Sequence, residues 1–271
     1  MRIIGKTCKT CNLRNRQTIM SVTTRQQEIQ TLVRAHGTVH IHDLAALFHA
    51  SLDTIRRDLR QLEDEGHLRR IHGGAILPNT ATATYDERAK ELQPERAAIA
   101  KKTANDLIPD HGVFFFDSGT TICEVARHLK PSFRGTIITV NPMVAVELAK
   151  HPNANVIMIG GVLLKNDMVV SGPTTVDEIR NYNADIALLG TCALHPEAGL
   201  STTTAEERAT KAAMINQSAE IIAVTTADKL ETSLPYRVCD IDAISYLVTG
   251  RKLSAGYLAN YSDRGLNVIQ A

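Results

Sequence analysis

Six short stretches between residues 113 and 248 are apolar almost without interruption: Val113–Phe116, Thr136–Val140, Val156–Ile159, Ile186–Leu189, Ile221–Val224 and Ala243–Val248. Helical segments lie between several of them. A strand with no polar alternation must be covered on both faces, and helical crossovers between strands make those strands parallel. The C-terminal part is therefore committed to a mostly parallel, Rossmann-like α/β sheet with helices on both sides. At 271 residues, 44% of them hydrophobic, the chain is also long enough for a second domain with its own core.

That second domain precedes the sheet. Ile29, Leu32 and Val33 give helical spacing that Gly37 ends, and Asp43–Phe48 is a second short helix with Leu44, Leu47 and Phe48 on one face. Ser51 is placed to cap a third helix running from Leu52 to about Glu65 and closed by Gly66. Leu52, Ile55, Leu59 and Leu62 make one apolar stripe along it. The run from His67 to Ile76 reads as two short strands around a turn. Three helices and a hairpin make a winged helix-turn-helix. The expected organisation is a flexible basic arm over 1–21, the winged domain over 22–77, a Thr/Ala-rich linker over 78–93 and the α/β domain over 94–271.

Charge agrees with this division. The whole chain carries a formal net charge of only +1. Up to Ala75, however, there are 12 Lys and Arg against 7 Asp and Glu, and beyond it 18 against 22. A basic segment joined to an acidic domain points to nucleic acid at the first, with the excess of positive charge carried by Arg2, Lys6, Lys9, Arg14 and Arg16 of the arm. With the stripe of the third helix facing inward, Asp53, Thr54, Arg56, Arg57 and Arg60 lie on the opposite face, beside the cap Ser51. The second helix of a helix-turn-helix enters the major groove, where Arg can bridge guanine O6 and N7 and Thr can reach a phosphate or a thymine methyl. Arg69, Arg70 and His72 on the wing are expected along the phosphate backbone, indifferent to base sequence. The bland alternative is a solvated helix surface in which Asp53 and Glu63 pair with the arginines.

In the sheet domain, Val113–Phe116 runs into Asp117-Ser118-Gly119-Thr120-Thr121 and then into a helix. Gly and hydroxyl residues between a parallel strand and a helix start make an anion site, because free N–H groups and the positive end of the helix dipole face the ligand. A plain helix cap is the competing reading of these five residues.

Thr54-Ile55-Arg56-Arg57-Asp58-Leu59, then Leu62-Glu63, Gly66 and Arg70-Ile71-His72-Gly73-Gly74-Ala75, together resemble the DeoR-type family of bacterial transcriptional regulators, and the likeness runs from about Arg25 to the last strand. The resemblance implies a repressor of a carbohydrate-utilisation operon, working as a homo-oligomer on double-stranded operator DNA. It also implies a sensor domain, similar in fold to sugar-phosphate isomerases, that binds a phosphorylated sugar. It makes Asp117, Ser118, Gly119, Thr120 and Thr121 the phosphate-binding loop, with Asp117 accepting from a sugar hydroxyl. Asn141, Gly160 and Gly161 after the second and third strands, the pair Glu207 and Lys211, and Lys229 are carried over as effector-binding positions. For Glu207 and Lys211, four apart, an ordinary helical salt bridge is the alternative. Departures from the family pattern touch specificity: Val140-Asn141-Pro142 lacks two hydroxyls, Ala227-Asp228 precedes Lys229 without a serine, Leu230 replaces an aromatic, and Leu164 stands where a basic residue is common.

Other classes fit less well. Aromatic residues make up 4% of the chain and Trp is absent, which disfavours a stacking platform for sugars or single-stranded RNA. No apolar run reaches the length of about 20 residues that a membrane helix needs, and Met1–Lys6 opens on no apolar leader. Five Cys without a dense framework point to a reducing cytoplasm. Cys8 and Cys11 have the spacing of half a zinc site, but no second pair follows, and His36, His40 and His42 fit it poorly. Cys123, Cys192 and Cys239 are read as small core residues. Neither a dinucleotide fingerprint nor a nucleophile elbow occurs, so no cofactor, metal or catalytic residue is expected. Two rivals are an isomerase-like enzyme using Asp117, Glu207 and Lys229, and a DNA binder without an effector.

Overall fold

The computed structural model describes residues 22–36, 38–71, 73–76, 84–90, 93–250 and 253–271. The basic arm, Cys8, Cys11, Gly37, His72 and most of the Thr/Ala-rich stretch thus lie outside the described residues.

The N-terminal unit is built from α1 (Val22–His36), β1 (Thr38–His40), α2 (Ile41–Leu47), α3 (Leu52–Asp64), β2 (Arg69–Ile71) and β3 (Gly74–Ile76). Ser51 caps α3 as expected, its Oγ accepting from the Thr54 N–H at 3.1 Å, and Gly66 takes a positive φ just past the helix end. Ile55, Leu59 and Leu62 are buried against Ile29, Val33, Leu44 and Leu68, while Leu52 is half-buried. Two features differ from expectation. The second helix starts at Ile41 rather than Asp43, and the wing sheet has a third strand, in the order β1-β3-β2, all antiparallel. The Ile41 N–H donates to the Gly73 carbonyl at 2.8 Å, so α2 begins where the wing turn accepts its first amide.

A buried ion pair crosses this small core. Arg25 on α1 donates to Asp58 on α3 through Nε at 2.5 Å and Nη2 at 3.1 Å, and both side chains are at least nine-tenths buried. Asp58 is the one charged residue of α3 that turns inward.

The C-terminal unit begins with α4 (Tyr85–Lys90) and α5 (Gln93–Asp106), and continues through β4 (Val113–Phe116), α6 (Thr120–Arg127), β5 (Thr136–Thr139), α7 (Pro142–Leu148) and β6 (Asn155–Met158). A hairpin of β7 (Val162–Leu164) and β8 (Val169–Ser171) leads to α8 (Pro173–Ile179) and β9 (Ala184–Gly190). The rest is β10 (Ala193–His195), β11 (Gly199–Thr202), α9 (Ala205–Asn216), β12 (Ser218–Thr225), β13 (Tyr236–Cys239), β14 (Tyr246–Thr249), α10 (Ala255–Ser262) and β15 (Asn267–Gln270).

All six apolar runs become strands of one seven-stranded parallel sheet, ordered β15-β14-β12-β9-β4-β5-β6. Its seventh strand, β15, carries no long apolar run and is visible only through its pairing with β14. Alternation across the sheet is complete in β4: Phe115 enters one core with Leu189, Ala223 and Met214, whereas Phe114 and Phe116 enter the other with Ile99, Ile122 and Leu188. The chain starts in the middle of the sheet. From β4 it proceeds outward to β5 and β6, then returns to the other side of β4 for β9, β12, β14 and β15. The crevice between the carboxyl ends of β4 and β9 is thus the switch point where open α/β sheets bind ligands.

The stretch expected as a linker contains α4, a helix attached to the α/β unit by contacts described below. Its few apolar residues gave no periodicity from which to read it.

Candidate functional site

An open cavity lies at that switch point, lined by the ends of three neighbouring strands. After β4 come Ser118, Gly119, Thr120 and Thr121, after β9 Gly190, Thr191 and Cys192, and after β12 Lys229. Glu207 and Lys211 of α9 reach the cavity from one side, Arg88 of α4 and Asp167 of the β7–β8 turn from another. The first N–H groups of α6 have no acceptor within the helix, and its cap Gly119 brings no side chain to satisfy them. Gly119 holds φ at +118°, a conformation that L side chains rarely adopt, so the loop is open at this point because glycine stands there. Gly190 serves differently. A Cβ there would strike the backbone carbonyl of Ser118, so only glycine lets β9 approach the loop this closely.

Beneath the loop lies a buried charge cluster. Lys211 Nζ pairs with Asp117 Oδ2, donates to the Gly190 carbonyl at 2.9 Å and stands 3.4 Å from Glu207 Oε1. Asp117 Oδ2 also accepts from the Gly190 N–H at 3.0 Å, and Glu207 accepts from Thr202 Oγ1 and from the Cys192 thiol at 3.3 Å. Burial works against the Lys211 ammonium, but Asp117 and Glu207 outweigh it and hold Lys211 protonated well above its ordinary range. Burial likewise opposes the Glu207 carboxylate, yet Lys211 and Thr202 keep it below its ordinary value. Burial and then Glu207 push Cys192 up to about 11, which makes it a hydrogen-bonding thiol rather than a nucleophile. Asp117 Oδ1 and Thr191 Oγ1, both buried, have no protein partner, as befits polar atoms beside a ligand cavity.

Helix α4 packs against the same site. The Tyr85 N–H donates to the Asn166 carbonyl at 2.6 Å, and the Tyr85 side chain is buried, with Cys123 of α6 beside it. Arg88 donates through both terminal nitrogens to Asp167 Oδ1, each at 3.1 Å. Arg96 of α5, itself buried, donates to the Arg88 carbonyl at 2.5 Å and so closes the C-terminal end of α4.

Of the expected effector residues, Ser118, Gly119, Thr120, Thr121, Glu207, Lys211 and Lys229 come together in this cavity. Asp117 lies directly behind it, bound to Lys211 and 1% exposed, so it positions the lysine rather than fronting the space. The pair Glu207–Lys211 is more than a helical salt bridge, because Asp117, distant in sequence, completes it from another element. Asn141, Gly160 and Gly161 fall outside the lining. Asn141 is fully buried and caps α7, accepting from the Met143 and Val144 N–H groups at 2.8 and 3.2 Å, and the Gly160 carbonyl accepts from Thr175 Oγ1. Arg88, Asp167, Gly190, Thr191 and Cys192 were missed. None of them stands in a local motif, since what joins them is the sheet.

On the N-terminal unit, α3 presents Asp53, Arg56, Arg57 and Arg60 to solvent. Ser51 and Thr54 share a hydrogen bond at 2.8 Å, and Arg56 pairs with Asp53 at 2.8 Å. Arg70 is drawn to Glu63, its N–H and Nε donating at 2.8 and 2.6 Å, which ties the wing to α3. Among the described residues neither Arg57 nor Arg60 has an ion-pair partner, so both guanidinium groups face solvent unpaired. His72 and the side chain of Arg69 lie outside what is described.

Comparison with known proteins follows the same division. Residues 25–81 match the DeoR-like helix-turn-helix domain, and residues 91–251 match the DeoR C terminal sensor domain. The HTH-type transcriptional regulator GlpR of Haloferax volcanii is 32% identical over 90% of this chain and 96% of its own. The glycerol-3-phosphate regulon repressor of Escherichia coli is 31% identical over 85% of this chain and 91% of its own. Both are regulators by name, not enzymes. Among solved structures, a ribose 5-phosphate isomerase A from Methanocaldococcus jannaschii aligns at 16% identity over 51% of this chain and 54% of its own, with a TM-score of 0.37. Within the described residues, no helix is long and apolar enough to cross a membrane.

Proposed function

This chain belongs to the DeoR family of transcriptional regulators, and we propose that its carboxyl-edge cavity takes a phosphorylated sugar whose binding weakens the hold of the winged domain on operator DNA. The observation that carries this reading is the convergence of the uncapped α6 N-terminus with Lys229 on one crevice. Backbone N–H groups and an ammonium together suit a phosphate dianion, and the orphaned Thr191 hydroxyl of the lining suits a sugar hydroxyl nearby. Repression is supported by the name of the Escherichia coli relative. Operator recognition by a twofold-symmetric homo-oligomer in the cytoplasm completes the proposal.

Calorimetric titration of the purified chain with a panel of sugar phosphates and their parent sugars tests it. One or more phosphates should bind while the parent sugars do not, and silence across all the phosphates rejects the reading. In gel-shift assays at low salt on DNA upstream of the chain's own gene, Arg57→Ala should cost about 1–3 kcal/mol if the guanidinium bridges a guanine. The loss should be confined to the bound sequence. An equal loss on unrelated DNA, accompanied by a shallower salt dependence, reassigns Arg57 to the phosphate backbone.

A further inference from the structure

Helix α4 is where the described chain resumes after the winged unit, and one of its side chains enters the cavity of the other. Arg88 and Asp167 line the same space as the phosphate loop. Arg88 reaches it from α4, and Asp167 from the turn between β7 and β8. The Arg88 side chain is largely buried, whereas Asp167 is about one-third exposed. Both terminal nitrogens of the guanidinium converge on a single oxygen of Asp167, a geometry poorer than the two parallel bonds a guanidinium makes with a well-placed oxyanion.

We propose that Arg88 is a phosphate ligand that exchanges Asp167 for the effector, and that this exchange carries occupancy of the cavity into α4 and toward the winged unit. The inference rests on the reading that the cavity binds a phosphorylated ligand. A dianion seated on the α6 N-terminus offers Arg88 more charge and several oxygens, and it repels the Asp167 carboxylate beside it. Arg88 therefore leaves Asp167 when the phosphate enters. Its own carbonyl is held by Arg96 and the start of α4 by Asn166, so a moved guanidinium draws on a helix fixed at both ends. A ligand shifts an equilibrium only through contacts that differ between states, and Arg88 supplies that difference at the first described helix after the reader.

Inorganic phosphate is the probe, titrated by calorimetry into the full chain and into two variants. Arg88→Gln should weaken phosphate at least about tenfold, and Asp167→Asn, which removes the competing charge, should tighten it several-fold even though it breaks an ion pair. Hydrogen exchange of the Tyr85–Lys90 amides should change on adding phosphate to the wild type and stay constant in Arg88→Gln. A merely structural ion pair predicts the opposite sign for Asp167→Asn, so weaker or unaltered binding there overturns the exchange. Phosphate binding with no response in α4 overturns the transmission. If Arg88→Gln binds like the wild type, the ligand role of Arg88 falls while the cavity reading stands. If the wild type takes no phosphate, both fall together.

Discussion

Lys211→Met should destabilise the C-terminal unit by about 3–5 kcal/mol, lowering its melting temperature by on the order of 10 °C. Methionine fits the volume and removes the charge, which leaves Asp117 and Glu207 in one buried pocket without their counter-ion. Burial, which already holds Asp117 above its ordinary value, together with their mutual repulsion then pushes Glu207 up and Asp117 further up. A carboxyl whose folded pKa lies above its unfolded value costs nothing below the unfolded value and progressively more as pH climbs toward the folded one. The deficit measured by denaturant unfolding should therefore be small near pH 4 and widen toward pH 7. Asp117→Asn on the Lys211→Met background should recover part of it, because one buried carboxylate without a cation costs less than two that also repel each other. A deficit independent of pH, or one unmoved by Asp117→Asn, shows that the cluster is not an interacting triad.

Asp58→Ala should abolish DNA binding without altering effector binding. The substitution strands a guanidinium in a core that keeps about one-tenth of it exposed, for which about 3–5 kcal/mol is the usual loss. Small domains hold only on the order of 5 kcal/mol of total stability, so most of it disappears. Two measurements separate folding from contact. Circular dichroism should lose winged-domain helix, and the double variant Arg25→Met/Asp58→Leu should regain both helix and DNA binding, since an apolar pair of similar volume carries no stranded charge. If Asp58→Ala still binds DNA like the wild type, the ion pair contributes little and the apolar stripe of α3 holds the unit alone.

How much of this was legible in the sequence depended on distance along the chain. The stripe Ile55, Leu59, Leu62, the cap Ser51, the six core strands and the loop 118–121 are local patterns, and each is found where its period or turn chemistry put it. Strand β1 is three residues long and exists because β3 pairs with it, so no periodicity announced it. Arg25 and Asp58, or Arg88 and Asp167, meet only after folding, and neither pair leaves a spacing to recognise. Glu207 and Lys211 were visible as neighbours on a helix, but the partner that buries them arrives from β4. Asn141 is a different case, its Oδ1 capping a helix while its buried Nδ2 has no protein partner. A polar residue after a parallel strand reads as a ligand contact, and here it serves the next helix as its cap.

The cavity straddles the point where the chain reverses direction across the sheet, and that sets an order of events during synthesis. The reader is finished at Ile76, within one short run of local contacts, whereas the ligand site needs β4, β9 and finally Lys229 beyond β12. The phosphate loop and the α6 N-terminus form with the first half of the sheet, but β9 and β12, which close the cavity around them, arrive only with the second. The cavity is thus completed last in synthesis, by segments far along the chain from the winged unit.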